Sequence, residues 1–92
     1  MTTTIGLALE AYGMELRLWK EAGLHEWGAT LRDETNTVRE RFEEDTLLAA
    51  KLHVLGEARS RAKNRSGQAD LPGCDTFFDS WKPVKIQDEV PQ

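Results

Sequence analysis

The 92-residue chain holds one cysteine, two histidines, three prolines and no long apolar run. Each scarcity closes off a class of protein. With Cys74 alone no intramolecular disulfide can form, so a reducing cytoplasm is the expected location. Nowhere do the roughly 18 consecutive apolar residues of a membrane span occur. The opening MTTTIGLALE has no basic segment and meets Glu10 early, so no signal peptide is expected. His53 and Glu57 are an i, i+4 pair able to touch a metal, but two ligands are not a site, and the pair reads as an ordinary helical histidine beside a glutamate. Cys74 lies between Gly73 and Asp75, far from either histidine in sequence, and reads as a loop thiol. There is no glycine-rich phosphate loop, nucleophile elbow or HExxH, and the acidic run at 40–45 lacks calcium-loop spacing. No catalytic residue, cofactor or metal is assigned, and the chain is expected not to be an enzyme.

What is present fits a soluble folded domain: 39% hydrophobic and 30% charged residues, with a net charge of −4. Ninety-two residues make one domain with a modest core. In the first segment Ile5, Leu9, Tyr12, Leu16 and Trp19 step by 4, 3, 4, 3, the spacing of an apolar stripe for helix packing or a partner. Leu7, Ala11, Met14 and Leu18 form a second stripe beside it. Thr2 to Thr4 offer N-caps and Gly23 a stop, which predicts a helix over 4–22. Gly6 and Gly13 then share a helical face, for close approach of another backbone or simply as tolerated surface residues.

Leu24, Trp27 and Leu31, then Val38, Phe42, Leu48, Leu52 and Leu55, continue a helical pattern without proline from 24 to 67. Thr37 to Glu40, TVRE, reads as a capping box. The expectation is either one long bent helix or a short one to 34 and a long one over 37–65, closed by Gly67 with basic residues at its end. A helix over 37–65 would run about 43 Å, beyond the roughly 25 Å of a compact monomer this size, so part of it would meet another chain. The expected fold is all-α: a helical hairpin or small bundle with one long helix, dimeric, over residues 1–68, with an irregular tail over 69–92.

Charge is segregated along that stretch. Residues 26–45 carry seven acids against three bases, and 51–65 five bases against one acid. Two copies laid antiparallel about Leu52 would set Glu43 opposite Arg61 and Asp45 opposite Arg59, around Leu48, Leu52 and Leu55. Solvation, or pairing within the helix, is the plain alternative. Arg59, Arg61, Lys63 and Arg65 split between two helix faces with no interleaved aromatic, so nucleic acid is an unlikely partner.

The tail concentrates three of the seven aromatics, Phe77, Phe78 and Trp81. Asp75 can cap a helical turn carrying them, and PVKIQ then alternates as an extended segment able to lie along a groove or edge. The aromatics either fold back to complete the core or anchor a partner as a short helix in a groove. Pro72, Gly73, Pro83 and Pro91 punctuate the segment.

With its heptad-like IGLALEAYGMELRLW, its charged helix ending EARSRAKNRSG and its lack of catalytic groups, the chain resembles small helical anti-activators that bind quorum-sensing transcription regulators. The resemblance implies binding to the regulator's ligand-binding or dimerising surface and blocking its active assembly. The expected function is thus non-enzymatic binding and inhibition of another protein, such as a transcription regulator. The alternatives are a small structural or assembly-chaperone subunit, phage-encoded for example, and a weak nucleic-acid accessory.

Overall fold

The computed structural model describes residues 3–21, 23–67 and 71–87. It overturns the all-α expectation. Four strands run in succession, β1 (Thr3–Ala11), β2 (Met14–Lys20), β3 (Glu26–Arg32) and β4 (Thr37–Glu43). A single α-helix, α1 (Leu47–Ser66), follows, then a 3-10 helix (Cys74–Ser80) and β5 (Lys82–Gln87). The strands form one antiparallel sheet in the order β4-β3-β2-β1-β5.

The helix expected over 4–22 is a β-hairpin. Tyr12 and Gly13 have φ of 56° and 74°, and Ala11 pairs with Met14 across them. Positive φ at both central residues is the two-residue type I′ turn, whose twist matches that of the strands it joins. Leu9 and Ala11 on β1, and Met14, Leu16 and Leu18 on β2, then point to one face, each 6% exposed or less. The expected stripe of Ile5, Leu9, Tyr12, Leu16 and Trp19 is therefore divided. Leu9 and Leu16 are cross-strand partners in the core, Tyr12 is in the turn, and Trp19 lies on the opposite face of the sheet. Ile5 pairs with Lys85 through its backbone; its side chain, like Thr2 and Pro91, lies outside what is described.

The second expected helix is divided as well. Its first part is β3, with Trp27, Ala29 and Leu31 facing the core. Asp33 closes the β3–β4 turn by accepting from the backbone N–H groups of Thr35 (2.7 Å) and Asn36 (2.8 Å). The supposed capping box of Thr37 to Glu40 opens β4 instead, and the helix starts at Leu47, ten residues after the start expected at 37. Its N-cap is Thr46, whose Oγ1 accepts from Ala49 N–H at 3.1 Å. Gly67 ends it as expected, with φ of 70°, its N–H bonded to Lys63 O, and Lys63 and Arg65 in the last turn.

One stripe of α1, comprising Ala50, Val54, Leu55 and Ala58, is fully buried against the sheet. Each buried Leu or Val contributes about 1.5–3 kcal/mol. The tail completes this layer. Phe77 and Trp81 pack on the core, and Phe77 meets Tyr12 edge-to-face at 5.0 Å. Tyr12 O–H donates to Pro72 O at 2.7 Å, and Arg59 Nε donates to the same carbonyl at 3.2 Å. Phe78 lies under Lys51, 5.1 Å from its Nζ. The 3-10 helix carries no side-chain cap, so Asp75 does not cap it as expected. β5 then pairs with β1 from Thr3↔Gln87 to Ala8↔Lys82, the extended edge segment the sequence pattern predicts.

Candidate functional site

Two arrangements gather polar chemistry. The first lies between β4 and α1. Glu40 is the Cα partner of Ala29, which faces the core, so its carboxylate points toward the helix. There it meets His53 and Glu57, which rise one turn apart from α1. One ligand-type atom from each of the three lies within 4.8 Å of the others. The His53 ring stacks on Phe42 at 3.9 Å and 6°. Its Nδ1 is 3.4 Å from the Glu44 carboxylate and its Nε2 is 4.0 Å from Glu40.

Arg61 faces the same cluster, 3.6 Å from Glu40 and 3.7 Å from Glu57. Both distances exceed hydrogen-bond range, and its buried Nε has no hydrogen-bond partner among the described residues. Burial, the Glu57 charge and a hydrogen bond shared with Glu57 push the Glu40 carboxyl above the usual carboxylate range, against Arg61 and His53. The sequence shows the His53–Glu57 pair. It hides Glu40 and Glu44, because TVRE has the local pattern of a helix start and only the fold brings β4 and the residue after it against α1.

The second arrangement is the sheet face opposite α1. Lys82, Ala8, Arg17, Thr30 and Arg39 are successive Cα partners across all five strands. One step along the strands, Trp19, Gly28 and Arg41 are partners, beside Gly6 and Val84. These two rows contain four bases and no acid. Carboxylates stand at both ends of the band, Glu10 and Glu15 on one side, Glu26 and Glu43 on the other.

Trp19 lies flat over Gly28, where a Cβ would overlap the indole. Its Nε1 donates to Glu21 at 3.0 Å and the Arg39 guanidinium sits 5.5 Å from the ring. Trp19 is consequently 7% exposed. Lys82 and Arg39 have no ion pair among the described residues, whereas Arg17 approaches Glu15 (3.4 Å) and Arg41 approaches Glu21 (3.8 Å).

The residues expected at a dimer contact occupy different environments. Leu48 and Leu52 are 55% and 44% exposed on α1, while Leu55 is wholly buried in the core. Glu43 is on β4 and Asp45 is in the β4–α1 connection, 3.8 Å from His25 Nδ1. Arg59 holds the tail and Arg61 faces Glu40. Of the tail aromatics, Phe77 and Trp81 serve the core. Among the described residues no helix is long and apolar enough to cross a membrane. Comparison with known protein families, curated proteins and solved structures finds no match.

Proposed function

We propose that this protein acts by binding, as a non-catalytic inhibitor of another protein, and that it holds an acidic segment of that protein across the open sheet face. The observation that supports this is the acid-free row that carries Lys82, Arg17 and Arg39, one base on every second strand, with Arg41 in the row beside it. At about 4.8 Å between strands the bases recur every ~10 Å. Carboxylates seven residues apart on a helix, about 10.5 Å, match that spacing.

Trp19 favours a protein over a nucleic acid. Its ring is covered by Arg39 and offers no open face for a base to stack on. The flanking carboxylates confine any anionic ligand to the band itself. The resemblance to helical anti-activators plays no part in this reading, because the first of the two segments that carry it is a hairpin.

A glutamate-rich helical peptide is the probe. Titrated into the protein, it binds with salt-sensitive affinity, and Arg17→Glu and Arg39→Glu each weaken it at least tenfold. Lys63→Glu, at the far end of α1, leaves it unchanged. Failure of the peptide while single-stranded oligothymidylate binds at the same residues turns the reading to nucleic acid, and binding of neither removes it. Self-association belongs to the same proposal. Leu48 and Leu52 are its apolar surface, and Leu52→Asp sediments at lower mass than wild type if copies meet there.

A further inference from the structure

We propose that Glu40, His53 and Glu57 bind a divalent transition-metal ion of the Zn²⁺ class, with Glu44 holding the imidazole in position. The site is separate from the open sheet face and does not depend on its reading. Two carboxylates alone would select nothing; the imidazole gives the cluster its chemistry. The His53 ring is fixed in plane by Phe42 and turned by Glu44 at Nδ1, which leaves Nε2 directed at Glu40. A carboxylate on one ring nitrogen and an ion on the other is the usual setting of a metal-bound histidine.

The ligands stand on two packed elements, so their spacing is held by the fold. Around an ion with bonds of about 2.0–2.2 Å, tetrahedral ligand atoms lie roughly 3.4 Å apart. Their present separations, within 4.8 Å, close to that by small side-chain rotations. Charge favours it too. Glu40, Glu44 and Glu57 bring three carboxylates to one cation, Arg61, whose contacts are longer than hydrogen bonds. Arg61 is 40% exposed at its side chain and can swing outward as the ion enters. A mixed nitrogen and oxygen set suits Zn²⁺, Co²⁺ or Ni²⁺; Mg²⁺ and Ca²⁺ prefer oxygen alone. Three protein ligands leave a fourth position for water or for a group brought by a partner.

Calorimetric titration of the full chain with ZnCl₂ tests this. One ion binds per chain. His53→Gln and Glu40→Gln each weaken it at least tenfold, and Arg61→Gln, which removes the competing cation, tightens it. His25→Gln, at the other histidine, changes nothing. MgCl₂ in excess does not displace the ion. In case a variant fails to fold, the wild type is followed by NMR: Zn²⁺ shifts the His53 ring protons and spares those of His25. Unchanged affinity in folded His53→Gln overturns the proposal, and so does a titration that moves His25 alone.

Discussion

Tyr12 does three things at once. Its backbone makes the first half of the type I′ turn, its ring meets Phe77 and its hydroxyl ties the hairpin to the carbonyl of Pro72. Burial, then the neighbouring Cys74, pushes the phenol up to about 12 from its usual 10.0. The folded chain holds this proton more tightly than the unfolded one. The corresponding stability is complete below pH 10 and is lost as pH rises from 10 to 12. The chain has only this tyrosine, so absorbance near 295 nm reports it alone. The midpoint falls near 12 in folded protein and near 10 in urea, and Tyr12→Phe removes that part of the alkaline loss of stability. Glu40 shows what one-dimensional reading misses at this scale. Three residues after Thr37 it looks like half of a capping box, yet its partners His53 and Arg61 are supplied by an element thirteen residues or more away.

At the scale of elements, the β1–β2 hairpin imitates a helix in sequence. A two-residue turn shifts the parity of the inward positions, from Leu7, Leu9 and Ala11 to Met14, Leu16 and Leu18. Inward-facing residues then follow one another along the chain at steps of four, three and four: Leu7, Ala11, Met14, Leu18. That is the signature of a helix, drawn by two strands folded on each other. Only the Tyr12-Gly13 conformation separates the two, and neither residue announces it as Asn-Gly would. The end of α1 was legible because Gly67 and the basic residues before it are purely local signals. Its start was not, because Thr46 is one threonine among several. Two substitutions check these ends. Gly13→Ala meets open space, so its cost is backbone strain alone, about 1–2 kcal/mol in urea unfolding. Thr46→Ala removes the cap bond and costs about 1 kcal/mol.

At the scale of the whole molecule, the segregated charge has a use within one chain. The acidic stretch supplies Asp33 and Glu40 on β3–β4, and the basic stretch of α1 lies across from them, with Arg65–Asp33 at 2.6 Å and Arg61–Glu40 at 3.6 Å. The sequence shows the complementarity; it does not show that a turn brings the two halves together. The length argument for a second chain also loses its premise, since α1 has 20 residues, spans about 30 Å and fits within the 41 Å long axis of the single chain. The radius of gyration, 13.2 Å, is close to the ~12 Å of a compact chain this long. The tail is part of the same body through Phe77, Trp81 and β5. Removing residues 71–92 takes away an edge strand and the cover over Tyr12, and calorimetry then shows a lower melting temperature and a broader transition.

Pairing of β5 with β1 sets the first and the last of the described strands side by side. A ribosome delivers β1 well before β5. Until β5 has emerged, β1 waits with one row of amides and carbonyls unsatisfied, open to any stray strand. Slowing elongation between α1 and β5 should therefore raise the yield of misassembled protein, while the same pause placed ahead of β1 should be harmless.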